Sequence, residues 1–191
     1  MIAAGILASA REASGITQSE LARRAGTSQP DISLIERGER VPTVDTLDRL
    51  IGRLQHSLIS IPVVRDDAPR AAERISAAVA RGDSDVAFRA FIDYSDGLAA
   101  ESGIDRVALA IARPRTTGSA AWDAALAAVA EYWLSRGRLP KPAWLTEAGR
   151  YLGEPTAPHL SEYDLEPEID NVPREFLKRN LLIEQSTLAS V

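Results

Sequence analysis

The sequence predicts a mainly α-helical protein: an N-terminal helical bundle, a short β segment, then a C-terminal helical domain with an irregular acidic tail. Three observations carry this. Residues 17–38, TQSELARRAGTSQPDISLIERG, hold two short capped helices around a glycine, which is a helix-turn-helix. Through most of residues 69–152 apolar side chains recur at helical spacing instead of alternating. A single run, LISIPVV at 58–64, is β-prone, and residues 155–173 are rich in proline and acid.

The elements follow in order. Residues 2–14 read as a first helix with Ile6, Leu7 and Ala10 inward and Gly15 ending it. Thr17 opens the second helix, and Glu20 three residues on completes a capping box. Gly26 supplies the positive φ of a sharp turn. Ser28 opens the third helix with Asp31 at its third position, Pro30 sits in the tolerant first turn, and Gly38 closes it. Leu21, Ala22, Ala25, Ile32 and Ile35 can share one core. A fourth helix spans residues 43–55, with His56 as a cap near its end. In 58–64, Pro62 demotes the strand to an edge or to pairing across a dimer axis. Residues 65–69 are a linker and helix start. Helices are then predicted at 69–81, 84–102 and 104–112, and at 120–136, where Trp122, Leu126, Val129, Ala130 and Trp133 suggest an amphipathic face. Residues 137–142 break the chain, and 144–152 form a short helix or turn. The domain boundaries expected are 1–56, 57–68, 69–152 and 153–191.

If the helix 28–38 enters a DNA groove, its inward Ile32 and Ile35 leave Ser28, Gln29, Pro30, Ser33, Leu34 and Arg37 outward. Gln29 can bridge adenine N6 and N7, and Ser33 can reach a base or phosphate. Pro30 and Leu34 offer apolar contact only, as to a thymine methyl. Arg37, Arg40 and Thr43 are placed along the backbone. With two apolar outward positions, discrimination by one copy is modest, and a symmetric dimer on a palindromic operator is expected.

The residues Arg11, Gly15, TQSELA (17–22), GTSQ (26–29), IS-x-IERG (32–38) and PTVDTLDRL (42–50) together resemble the Cro/C1-type, phage-repressor-like (XRE) helix-turn-helix family, over about the first third of the chain. The resemblance implies that Gln18 touches a phosphate and that Arg11 pairs with Glu36. Pairing also makes physical sense for a charge packed against a small core, the alternative being two solvated surface charges.

The formal net charge is −5, but it is unevenly spread. Residues 1–65 carry 8 Arg against 7 carboxylates, whereas residues 150–191 carry 4 basic groups against 8 acids. Acidity therefore lies away from the DNA-binding stretch, and local placement of Arg decides phosphate contact. There is no cysteine, hence no disulfide or thiolate metal site. Asp93, Asp96 and Asp105 match no ligand spacing, so no metal and no cofactor are expected. No nucleophile–base set, phosphate-cradling glycine loop or H-E-x-x-H occurs, and no enzyme is predicted. No secretory leader or run of ~20 apolar residues appears, which predicts a cytoplasmic protein without a membrane partner.

The acidic run Glu162, Asp164, Glu166, Glu168 and Asp170 reads either as a solvated segment or as an interaction surface. Phe176, Leu181 and Leu182, in REFLKRNLLIEQ, are too apolar to stay free and should dock on this protein or on a partner. The layout, with the LPKPAWL and PREFLKRNLLI runs, loosely resembles antitoxin-type regulators that accompany a nucleotidyltransferase-like toxin. That resemblance implies an autoregulating repressor with a toxin partner. A stand-alone repressor whose helical domain senses a small molecule is the alternative.

Overall fold

The computed structural model describes residues 2–59, 64–159 and 167–188. The chain forms two compact units, Met1–Ser60 and Ile61–Val191.

Unit 1 is built from α1 (Ile2–Ala13), α2 (Gln18–Ala25), α3 (Gln29–Glu36) and α4 (Val44–Gly52). Leu7, Leu21, Ile32, Ile35, Leu47, Leu50 and Ile51 close one core. The boundaries follow the local chemistry. Thr17, Ser28 and Thr43 each accept the backbone N–H three residues on, at 3.2 Å, a contribution of about 1 kcal/mol per cap. Gly26 sits at φ +65 and hands α2 to α3. Gly15 and Gly38, at φ +67 and +78, end α1 and follow α3.

Unit 2 contains α5 (Ala68–Val79), α6 (Ser84–Ala100), α7 (Gly103–Ile111), α8 (Ala120–Arg136) and the short α9 (Arg174–Leu177). Turns of 3-10 helix stand at Ala143–Thr146, Ala148–Arg150, Ile169–Asn171 and Gln185–Thr187. The centre is α8. Of its 17 residues, 12 are buried, so it is enclosed and not amphipathic as the aromatic spacing predicts. Alanines at 124, 125, 127, 128 and 130 let neighbouring elements close on the faces between the aromatic residues.

Two expectations are corrected. The β segment predicted at 58–64 is irregular at residues 58, 59 and 64, and residues 60–63 lie outside the described residues. Leu58 packs against the unit 1 core instead, while Ile59 and Val64 stay exposed. Among the described residues the β pairing is one isolated parallel bridge, Thr156 to Leu181. Nor is the chain after residue 166 a tail. Val172, Phe176, Leu181, Ile183 and Leu188 enter the same core as α5–α8. Leu152, Thr156 and Leu182 N–H groups bond to Arg179, Asn180 and Thr156 carbonyls at 2.8–3.2 Å, joining the two passes of chain.

Buried charges fasten this return. Arg179 is fully buried and donates to the Glu175 and Leu145 carbonyls at 2.7 and 2.8 Å. It also lies 2.7 Å from Glu131 of α8, which Lys178 and Lys141 approach at 2.6 and 3.2 Å. Ser95 donates to the Leu188 carbonyl at 2.6 Å and accepts from the Trp133 indole at 3.0 Å. Among the described residues, no helix is long and apolar enough to cross a membrane.

Candidate nucleic-acid interface

The interface is organised from the core of unit 1 outward. Arg11 of α1 makes a two-bond fork on Glu36 at the end of α3, Nε to Oε1 at 2.8 Å and Nη2 to Oε2 at 3.1 Å. Its Nη1 donates to the Ile16 carbonyl at 3.1 Å. The Glu36 side chain is only 7% exposed, so this pair is tucked against the core and not solvated.

Gln18, half-buried at the start of α2, extends this pair to the surface. Its amide nitrogen donates to Glu36 Oε2 at 2.8 Å, and its oxygen accepts from Gln29 Nε2 at 2.9 Å. Gln29 is thereby oriented through one N–H, leaving its carbonyl oxygen and its second N–H available. That pair is what a two-point contact with adenine N6 and N7 needs.

Ser28, Gln29 and Pro30 are exposed at the N-terminus of α3, and Ser33 and Leu34 are half-buried on its flank. Ile32 and Ile35 point into the core, at 0% and 3% exposure. Arg37 Nη1 donates to the Ser33 hydroxyl oxygen, so the Ser33 O–H remains free to donate outward. Thr43 is exposed and occupied by its cap on α4. Of the outward set predicted from spacing, Ser28, Gln29, Pro30 and Arg37 are thus exposed and Ser33 and Leu34 half-buried, with Arg40 and Thr43 exposed further along the chain.

The arginines, however, are already engaged. Arg37 forks onto Glu39, at 2.6 and 3.1 Å, and Arg40 pairs with Asp31. Arg23 and Arg24 share Glu20, at 2.7 and 2.8 Å. Hydrogen bonds from Arg23 and Arg24 hold the Glu20 carboxyl down to about 2. Asp31 is lowered first by the Ser28 hydroxyl, against the opposing effect of burial, then by Thr27 and Arg40. Arg37 lowers Glu39. These carboxylates are ionised at neutral pH and compete with phosphate for the same guanidinium groups. Sequence reasoning missed this pairing, because Asp31 and Arg40 lie nine residues apart across the end of a helix. It also missed Arg49, which donates to the Ala25 carbonyl at the end of α2.

The other predicted positions fall elsewhere. Phe176 and Leu181 are fully buried in unit 2 and cannot form a partner-facing surface; Leu182 is half-buried. Their apolar character serves the protein's own core. Glu168 and Asp170 are exposed, with Glu168 N–H bonded to Glu184 at 2.8 Å and Glu168 accepting from Asn171 at 3.0 Å. Glu162, Asp164 and Glu166 lie outside the described residues. Among the described residues no group of His, Asp and Glu side chains could hold a metal. Asp93 instead bonds Arg74 at 2.6 Å.

A four-helix core, a glycine-hinged helix pair and a polar face held by a buried ion pair define a helix-turn-helix domain of the Cro/C1 type. The comparisons agree. The helix-turn-helix family model matches residues 7–58. An uncharacterized HTH-type transcriptional regulator of Sinorhizobium fredii is 41% identical over 59 residues, covering 31% of this chain and 77% of that protein. The chain belongs to this helix-turn-helix family through its N-terminal unit. No solved structure matches the chain at a significant level.

Proposed function

We propose that this DNA-binding regulator is a dimeric repressor, with α3 as the reading helix and Gln29 as its principal reader. The observation that supports this most is the chain of bonds Arg11–Glu36–Gln18–Gln29, which orients one amide toward solvent from a buried ion pair. A single α3 spans about half a site, so two copies on a palindrome supply the affinity that one cannot. Ser33 and Leu34 add one polar and one apolar contact, and Pro30 sets the entry of α3. The protein works by binding and not by catalysis.

In the fuller reading, the regulator represses its own promoter and neutralises a toxin made by an adjacent gene. The burial of Phe176 and Leu181 moves the contact surface this reading needs to exposed groups, of which Glu168 and Asp170 are described.

Two measurements test these readings. Gel shift of the protein's own upstream DNA should give one cooperative complex, and Gln29→Ala should weaken it about tenfold, in keeping with ~1–3 kcal/mol for a two-point base contact. An unchanged shift removes Gln29 as a reader. Co-expression with the neighbouring genes should yield a stable complex; a chain that purifies alone against every neighbour favours the stand-alone repressor.

A further inference from the structure

We propose that unit 2 carries a binding site for a phosphate-bearing small molecule of nucleotide size. It lies in the cleft between the loop at residues 113–119 and the 3-10 turn Ala148–Arg150. The site goes beyond the DNA-binding reading and does not depend on it.

The cleft has a volume of about 530 Å³, within the range of small-ligand pockets and far larger than one phosphate needs. Its lining brings together Arg113, Arg115 and Arg150, on a unit that is otherwise acidic. Arg150 is the informative member. It is 5% exposed, stacks on Trp144 with its guanidinium carbon 5.1 Å from the ring, and donates to the Asp123 and Pro114 carbonyls at 3.3 and 3.2 Å. Those acceptors are neutral. Its nearest carboxylate oxygens, on Asp123 and Glu147, stand at 3.7 and 4.0 Å, beyond hydrogen-bond reach. Both lie within ion-pair range, yet neither accepts a hydrogen bond from this buried cation, which an anion placed in the cleft could do.

The two carboxylates differ in what they can give. Both Asp123 oxygens are taken, one by the Thr116 hydroxyl at 2.6 Å and one by the Thr117 N–H at 2.7 Å. Those bonds hold the loop on the first turn of α8, so the arginines it carries are set in place. Glu147 pairs with Arg113 at 2.8 Å on the open side of the cleft. Arg115 is exposed and has no ion partner among the described residues. Three guanidinium groups thus face one occupied and one displaceable carboxylate. With Glu147 turned out to solvent, a phosphate monoester dianion balances the remaining charge, and guanidinium forks suit its oxygens. Glu147 acts as the internal stand-in for that anion.

The test is calorimetric titration of the full chain, without DNA and at low salt, with AMP and with inorganic phosphate as probes. We expect saturable AMP binding, tighter than phosphate. Arg115→Ala, at an exposed position, should weaken it at least tenfold, and Glu147→Gln should tighten it several-fold by removing the competitor. Failure of AMP to bind at millimolar concentration overturns the site, as does affinity unchanged in both variants. AMP binding no tighter than phosphate overturns the nucleotide-sized ligand. DNA binding is not read in this assay, so its result is separate from that of the repressor reading.

Discussion

At the scale of single residues, the exposed amide of Gln29, proposed above as the base reader, is only as well placed as the groups behind it. Glu36 accepts from both Arg11 and Gln18 while almost wholly buried. Glu36→Gln leaves Arg11 only the exposed Glu12 carboxylate, at 3.6 Å, and removing one member of a largely buried pair costs on the order of 3 kcal/mol. Every Trp, Tyr and Phe of the chain lies beyond residue 60, so tryptophan fluorescence reports unit 2 alone. The variant should therefore lower the helical unfolding transition seen by circular dichroism and leave the fluorescence transition in place. A shift of both transitions would show that the two units unfold together. Gln18→Ala separates position from stability. It frees the Gln29 side chain with little loss of melting temperature, and operator affinity should fall by a factor of several.

At the scale of elements, the turn between α2 and α3 depends on one backbone conformation. Nothing lies within 4 Å of a Cβ built on Gly26, so its φ of +65 is the whole constraint. Gly26→Ala should cost about 1 kcal/mol, the penalty of a left-handed non-glycine residue, and Gly26→Asn less; equal melting temperatures for both would point to a steric cause. The return of the C-terminal segment onto α8 depends on charge instead. Burial pushes the Glu131 carboxyl up, but hydrogen bonds from Lys178, Arg179 and Lys141, with the Arg179 charge, prevail and hold it down to about 2. A carboxyl depressed from 4.5 stabilises the fold fully above its unfolded value. That contribution, on the order of 3 kcal/mol, is lost as pH falls through the folded value. Tryptophan-monitored stability should thus drop between about pH 4.5 and 2, and Glu131→Gln should be weaker at neutral pH with a flatter profile. The two elements also differ in how well the sequence reveals them. Caps and glycines act within four residues, so α2, α3 and their turn are legible in TQSELARRAGTSQ. The enclosed α8 is not, because its alanines look neutral until the chain beyond residue 166 is known to fold over them. Arg40 with Asp31, and Arg179 with Glu131, are unreadable for the same reason: their partners meet only through tertiary structure.

At the scale of the whole molecule, charge sets how the regulator meets DNA. Residues 1–60 hold 7 Arg against 7 carboxylates, and the rest of the chain carries the entire −5. The domain that approaches the phosphates is electrically neutral overall, and Arg37 and Arg40 each carry an internal carboxylate partner. Each phosphate contact by either residue must break an existing ion pair, so part of the usual gain from counter-ion release is already offset within the protein. If Arg37 and Arg40 of two subunits each met one phosphate, roughly four contacts would give a slope of about −4 in log affinity against log salt. Internal competition should make the measured slope shallower than that. Glu39→Gln removes the competitor of Arg37 without touching a base-reading group. It should raise affinity for operator and unrelated DNA by similar factors and steepen the salt slope. Fluorescence anisotropy on both DNAs at several salt concentrations from about 50 to 200 mM checks this. A variant that gained affinity for the operator alone would place Glu39 in sequence reading, and an unchanged slope would show that Arg37 does not reach a phosphate.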